Sequence, residues 1–209
     1  GDLTANNAKL GTDGDLSLAA SDAEGSVKLA GATASAEGTV GVTAGKDVTV
    51  DGTSRVWSKG NATVGAGNDV TVNGVVKAGD FPDTVTSADE VTDSSTLGVT
   101  AGRKLTVEGG KVASSGKLTL AATDGDLAVK GGTVATADAL EATASGSGAV
   151  SVSDASKVAA NGAATVTGAN GVTVDGSSVE SVGNLTVTAT KGDLTANNAK
   201  LGTDGDLSL

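Results

Sequence analysis

The first 18 residues of the chain return at its end. Residues 1–18 and residues 192–209 both read GDLTANNAKLGTDGDLSL, so the sequence repeats at an offset of 191 residues. A fixed period of this kind is typical of repeat architectures, in which one structural unit stacks on the next. We therefore predict one tandem repeat over residues 1–191 and the start of the next identical repeat at residues 192–209, within a window of a longer protein that shows neither natural terminus.

A shorter period divides the long repeat. Segments of the form Gly-x-Leu/Val-x-Leu/Val recur, and eight of them fill the 191 residues before the pattern starts again. The residues that open these segments are Gly14, Gly38, Gly60, Thr96, Gly116, Ala139, Gly162, Gly183 and Gly205. Only the interval that begins at Gly60 is long, which predicts an insertion loop at residues 78–95.

Each short unit, which we call a rung, contains three extended pieces. Leu118-Thr119-Leu120 is typical of the first piece and Val48-Thr49-Val50 of the second, while a weaker third piece contains residues such as Val112. Their alternation of apolar and polar residues places one face inward. A meander of hairpins would show the same alternation. Corresponding positions match from rung to rung, however, which favours a coil that stacks Val on Val and Thr on Thr.

Parallel crossover connections are right-handed in almost all proteins. The predicted fold is therefore all-β: a right-handed parallel β-helix (β-solenoid) with about eight three-faced rungs per 191-residue repeat. The composition agrees with a narrow, regular core, because one Trp, one Phe and no Tyr leave Val, Leu and Ala to fill the interior.

The composition also limits the chemistry. Because the chain has no His and no Cys, Ser-His and Cys-His catalytic arrangements are impossible and the usual zinc, copper and haem ligands are missing. Paired carboxylates act catalytically on some β-solenoids, but those enzymes have clefts lined by basic and aromatic residues. We therefore expect no enzymatic activity, no cofactor and no metal.

The charge and hydropathy exclude two kinds of partner. A net charge of −11 argues against nucleic acid, whose binding requires clustered Lys and Arg. We also expect no membrane span in this window, because it holds no apolar run of about 18 residues.

The rung pattern resembles the shaft repeats of filamentous-haemagglutinin-like exoproteins, the large adhesins of two-partner secretion in Gram-negative bacteria. The pattern that carries the resemblance is Gly-x-Leu-x-Leu, then Gly-Asp-Leu-x-Val, then Val-x-Ala/Ser, and it covers nearly the whole chain outside the insertion. The resemblance implies an extracellular or cell-surface location. The identical 191-residue copies are more regular than the degenerate repeats of that family, which favours a fibre with a mechanical task.

We expect a structural role in a long bacterial fibre: a stiff stalk, filament or sheath that serves adhesion or cell–cell association. Its partners would be adjacent identical repeats stacked coaxially, with lateral self-association into fibres. One alternative is an adhesin whose own shaft binds surface glycans or proteins through Trp57 and loop 78–95. Another is the stalk of a contact-dependent toxin delivery protein, which a distinct C-terminal domain would reveal.

Three features are candidates for contacts. Trp57 lies between two inward positions, so the period of two points it outward, where it is either an isolated surface residue or a contact for a sugar or protein. The insertion holds the only Phe, Phe81, together with five carboxylates. It is either a solvated loop, a docking element or a calcium-binding loop.

The third feature is an outward column of Arg55, Lys111, Lys157 and Lys200 on alternate rungs. The column either hinders lateral pairing with strands of other molecules or binds anions.

Overall fold

The computed structural model describes residues 1–80 and 93–209. All regular secondary structure in these residues is β, in 27 short strands. The strands form three parallel sheets of nine strands each, and the chain visits the sheets in turn, so every three consecutive strands make one rung. The predicted all-β solenoid of stacked three-faced rungs is confirmed.

We name the sheets A, B and C in the order in which the chain meets them. Sheet A consists of β1 (Leu3–Asn6), β4 (Val27–Ala30), β7 (Val48–Val50), β10 (Val70–Val72), β13 (Leu105–Glu108), β16 (Leu127–Lys130), β19 (Val150–Ser153), β22 (Val172–Asp175) and β25 (Leu194–Asn197). Sheet B consists of β2 (Lys9–Thr12), β5 (Thr33–Ala36), β8 (Arg55–Ser58), β11 (Val75–Ala78), β14 (Lys111–Ser114), β17 (Thr133–Thr136), β20 (Lys157–Ala160), β23 (Ser178–Ser181) and β26 (Lys200–Thr203). Sheet C consists of β3 (Leu16–Ala20), β6 (Val40–Ala44), β9 (Ala62–Ala66), β12 (Leu97–Ala101), β15 (Leu118–Ala122), β18 (Leu140–Ala144), β21 (Ala164–Gly168), β24 (Leu185–Ala189) and β27 (Leu207–Ser208).

The register stacks like residues on like. In sheet A, Val70 lies between Val48 and Leu105, and Thr71 lies between Thr49 and Thr106. Rungs 1 and 9 have the same sequence, so eight rungs make up one 191-residue period. With stacked strands about 4.8 Å apart, eight rungs rise about 38 Å.

The interior is a single column of aliphatic side chains. One cluster of buried Val, Leu and Ala runs from Ala5 to Val187, and inward residues of the middle rungs, such as Leu105 and Val112, are fully buried. Each Val or Leu buried in this way stabilises the fold by about 1.5–3 kcal/mol. Because a single rung cannot enclose its own apolar face, this stabilisation depends on the neighbouring rungs.

In six of the nine rungs, the corner from sheet A to sheet B turns on one Gly or Asn with positive φ. Asn7 has a φ of 49° and the equivalent Gly31 of the next rung has a φ of 62°. Gly tolerates this left-handed conformation without strain, and Asn tolerates it better than most residues. This requirement explains the Gly or Asn that follows most of the sheet A strands.

The other two corners are tied to the next rung by Asp and Asn side chains. The Asp15 carboxylate accepts the backbone N–H of Thr39 at 2.7 Å, and the Asp126 carboxylate accepts that of Ala149 at 2.9 Å. Asn61 and Asn184 make the same bond to Thr96 and Asp206. Each of these residues directly precedes a strand, so part of the acidic charge serves to fasten successive corners together.

The insertion leaves the coil between β11 and β12. Ala78, where the predicted loop began, is the last residue of β11 and is fully buried, so the excursion starts at Gly79. The coil resumes at Leu97. Phe81, one of the predicted contact residues, lies outside the described residues.

The two end rungs leave apolar residues exposed. Leu207 in β27 is 47 % exposed, whereas Leu185, its neighbour one rung below, is fully buried. Inward Leu residues of rung 1, such as Leu3 and Leu16, are also only partly buried. A further rung on either end would bury these side chains.

Candidate functional site

The outer face of sheet B holds every described residue proposed as a contact. Two side-chain columns run along this face, parallel to the long axis of the solenoid. The column that we call the basic column contains Lys9, Thr33, Arg55, Val75, Lys111, Thr133, Lys157, Ser178 and Lys200. The column that we call the Trp57 column contains Gly11, Ser35, Trp57, Lys77, Ala113, Ala135, Ala159, Glu180 and Gly202.

The basic column alternates strictly between rungs. Arg55, Lys111, Lys157 and Lys200 fall on rungs 3, 5, 7 and 9, with an uncharged residue on each rung between them. Cations in this column are therefore about 9.6 Å apart, twice the strand spacing. Lys200 also forms an ion pair with Glu180 of the rung below. Direct stacking of like charges, which destabilises strand pairing, is avoided throughout.

Sheet B differs in charge from the rest of the molecule. Its nine strands contain six Lys or Arg residues and one acidic residue, Glu180, although the whole chain has a net charge of −11. By contrast, Glu141 is the single charged residue in the nine strands of sheet C. Sheet B is thus the basic side of the solenoid and sheet C a nearly uncharged side, although Lys77, Ala113 and Ala135 on the outer face of sheet B are buried.

Trp57 points outward, as its sequence position predicts. It lies between the buried residues Val56 and Ser58 of β8 and is itself partly exposed. Its indole Nε1–H donates to the carbonyl oxygen of Gly79 at 3.4 Å, a long and weak hydrogen bond. Gly79 directly follows β11 on rung 4, one rung above Trp57.

A shallow hollow lies beside Trp57 on rungs 1 and 2. Its volume is about 370 Å³, and it is bounded by Trp57, by the small residues Gly11 and Ser35, and by Asp13 and Glu37 at the corner that leads to sheet C. The hollow exists because Gly11 and Ser35 occupy the positions below Trp57 in its column. Larger side chains at these two positions would occupy part of the hollow.

The glycine in the hollow is not required by the backbone. A Cβ atom built on Gly11 would meet a single neighbour, the Ser35 Oγ, at an ordinary distance of 3.4 Å. Glycine within a strand weakens the strand, and it often marks a site where a ligand or another backbone comes close. Gly11 therefore keeps the hollow open.

The rim of the hollow is polar and mostly acidic. Asp13 and Glu37 are exposed, and Glu37 forms an ion pair of 3.4 Å with Lys59 of the next rung. The Thr12 hydroxyl also lines the hollow and accepts the backbone N–H of Gly14 at 3.1 Å. An aromatic wall with carboxylates and hydroxyls at the rim is suited to a small polar ligand that also has an apolar surface.

Two carboxyls outside the hollow have lowered pKa values because of local hydrogen bonds. The Ser54 hydroxyl donates to Asp51 at 2.7 Å and, with the N–H groups of Gly31 and Thr53, lowers the pKa of Asp51 from 3.8 to about 2. Bonds from the N–H and hydroxyl of Thr39 lower the pKa of Asp15. Both carboxyls stabilise corners and belong to no binding site.

The base of the insertion holds one unusual carboxylate. Asp93 Oδ2 accepts the N–H of Asp80 at 3.2 Å, while Asp93 Oδ1 is buried without a hydrogen-bond partner in the structure. Across residues 1–80 and 93–209, no three His, Cys, Asp or Glu side chains are grouped so that they could hold a metal ion. The remaining acidic residues of the insertion lie outside this part of the chain.

Two parts of this face were missed from the sequence. Lys9 belongs to the basic column, and its identity with Lys200 in the repeat was the signal that would have found it. The hollow was missed because it depends on the residues stacked beneath Trp57. Aligning rungs 1, 2 and 3 would have placed Gly11, Ser35 and Trp57 in one column.

No protein-family model, no curated protein and no solved structure matches this chain. In the described part of the chain, no helix has the length and apolar character needed to cross a membrane.

Proposed function

We propose that the chain is a structural repeat of a long secreted or cell-surface bacterial fibre, in which it acts as a stiff stalk, filament or sheath. The observation that carries the proposal is the identity of rungs 1 and 9, joined by eight uninterrupted steps of parallel pairing in each of three sheets. Since rung 9 repeats rung 1, the pairing of β1, β2 and β3 with the second rung can recur at the start of every repeat.

The stiffness of such a fibre has a direct physical cause. Each rung bonds its backbone to the rungs above and below in all three sheets, and bonds such as Leu16 N–H to Thr39 O at 2.9 Å run along the axis. Bending would stretch the ladders on one side and compress those on another. Corner bonds such as Asp15 to Thr39 oppose the same distortion.

A location on a Gram-negative cell surface, and a role in adhesion or cell–cell association, follow from the resemblance to filamentous-haemagglutinin-like shafts. They are part of the proposal.

The test is the length of chains that contain one, two or four copies of the 191-residue repeat. We expect electron cryo-microscopy to show particles of constant width whose length increases by about 38 Å per copy, with a layer line near 4.8 Å. Globular particles, or a length increment far from this value, would contradict the proposal.

A second candidate is favoured by the hollow beside Trp57: an adhesin whose own shaft contacts a surface glycan or protein. An experiment can distinguish the stalk role from the adhesin role. Replacing Trp57 with Ala should leave the length increment unchanged in both cases, because Trp57 lies outside the core. Cell adhesion should fall only if the shaft itself binds.

A further inference from the structure

We propose that the hollow formed by Gly11, Ser35 and Trp57 binds one neutral hexopyranose unit of a surface polysaccharide. The proposal rests on the second candidate function and makes it specific, since it names the ligand class and the residues that recognise it. It is independent of the stalk role.

The size and the wall of the hollow fit a sugar ring. Its volume of about 370 Å³ lies at the lower end of the range for small-molecule sites, which begins at about 300 Å³. A pyranose ring has an apolar face of C–H groups and a polar rim of hydroxyls. Trp57 is the aromatic residue of the lining and is partly exposed, so it offers the surface against which part of such a face packs.

The rim of the hollow selects a neutral sugar. The Asp13 and Glu37 carboxylates accept hydrogen bonds without donating any, so they match the hydroxyl donors of a sugar. The Ser35 and Thr12 hydroxyls both accept and donate. Uronic and sialic acids would bring a carboxylate against these two acidic residues, which disfavours them through like-charge repulsion.

The site belongs to the repeat and recurs with it. Residues 202–204 repeat residues 11–13, and Gly202 stands in the Trp57 column as Gly11 does. Beside Gly202 the side chain of Glu180, one rung below, comes within 3.7 Å of a Cβ atom built on the glycine, so in an array this carboxylate would border the hollow as well. Such a hollow would recur once every eight rungs, about 38 Å apart and on the same face. Many weak identical sites along one fibre bind a long polysaccharide far more tightly than one site does, provided that the spacing allows simultaneous contact.

Trp57 allows a direct test because it is the only Trp in the chain, so its fluorescence reports on the hollow alone. The probes are the methyl pyranosides of glucose, galactose and mannose, with glucuronic acid as the acidic comparison. We expect at least one neutral glycoside to cause a saturable change in the emission of the 209-residue chain, and glucuronic acid to bind at least tenfold more weakly.

A pair of glycine variants locates the binding. Gly11→Val places a branched side chain inside the hollow, whereas Gly98→Val adds the same side chain on sheet C, where a Cβ atom meets nothing within 4 Å. We expect Gly11→Val to weaken binding at least tenfold and Gly98→Val to leave it unchanged. Circular dichroism of both variants checks that the solenoid is intact.

Three outcomes would overturn the proposal: no response to any neutral glycoside, equal binding by wild type and Gly11→Val, or a preference for glucuronic acid. A response to a surface protein without any response to sugars would also overturn it, while keeping the broader adhesin role. None of these outcomes changes the length of particles built from several repeats, so a failure of this proposal is distinguishable from a failure of the stalk role.

Discussion

At the scale of single residues, several acidic side chains of this molecule stabilise the corners by accepting hydrogen bonds. Asp15, Asp51 and Asp126 each accept hydrogen bonds from main-chain N–H groups of a neighbouring rung. A carboxylate that accepts such bonds stabilises the N–H groups more strongly than a neutral acceptor does. Part of the negative charge is therefore explained by hydrogen bonds at the corners.

Asp51 gives a prediction about pH. Its pKa is lowered from 3.8 to about 2 in the folded chain, first of all by the Ser54 hydroxyl. The carboxylate therefore contributes its full stabilisation above pH 3.8, and this contribution is lost as the pH falls through about 2. We expect Asp51→Asn to lower the melting temperature at pH 7, and the difference from wild type to shrink between about pH 4 and pH 2.

Asp175 provides the matched control for this experiment. It occupies the same column of sheet A as Asp51, but its exposed side chain forms none of these bonds. Asp175→Asn should leave the melting temperature nearly unchanged across the same pH range. A constant difference between wild type and Asp51→Asn from pH 7 to pH 2 would refute the assignment.

The outward direction of Trp57 could be predicted from the sequence because it depends only on alternation along one strand. The hollow depends on three strands at once, and on the small size of Gly11 and Ser35. Those positions are separated from Trp57 by 46 and 22 residues along the chain. Single-strand periodicity carries no information about such neighbours.

At the scale of elements, the turns from sheet C to sheet A stack as closely as the strands do. A Cβ atom built on Gly67 would overlap the carbonyl oxygen of Gly45 one rung below, and one built on Gly102 would overlap that of Gly67. Glycine is needed here because of the close approach of two backbones, in contrast to the positive φ that requires it at the corner from sheet A to sheet B.

This contact gives a prediction about turn stability. Gly67→Ala should lower the free energy of unfolding by about 1–3 kcal/mol, because the methyl group must displace the neighbouring turn. Gly98→Ala is the control, since nothing lies within 4 Å of the added Cβ atom. Denaturant unfolding measures both variants, and an equal effect of the two would show that the turns are not tightly stacked.

The three strands of a rung differed in how clearly the sequence predicted them. Sheets A and C follow from regular Val and Leu alternation, as in β13 and β15. Sheet B was the weaker signal, because its second inward position is filled by a small residue such as Ser58 or Ser114. These hydroxyls bond to carbonyl oxygens of the corner, Ser58 to Gly60 and Ser114 to Gly116 at 2.7 and 2.6 Å. A hydropathy pattern does not reveal this hydrogen-bonding role of buried Ser residues.

At the scale of the whole molecule, the register of the stacked rungs gives a prediction about how copies of a fragment would associate. A fragment of residues 1–191 ends at rung 8, and rung 1 of a second copy would meet rung 8 in the register that β23 and β26 already show. There Ser178 opposes Lys200, which is identical in position to Lys9. We expect this fragment to form end-to-end filaments, which negative-stain electron microscopy would show.

The 209-residue chain is the control for this association. Its last rung repeats its first, so stacking two copies would place Lys200 directly against Lys9 of the next copy. Like charges in directly opposed positions destabilise strand pairing. The longer chain should therefore need a higher concentration to form filaments than the fragment does. A fragment that remains a stable monomer would contradict the prediction.

The even number of rungs in each period has a consequence for how such a fibre can vary. Because the cations of the basic column occupy odd rungs only, a repeat of eight rungs joins the next without bringing two of these cations together, and a repeat of seven or nine would fail to do so. In the fibre proposed above, adding or removing whole repeats would preserve the phase of every column. The length of that fibre would then change in steps of about 38 Å, while the surface along its side stays the same.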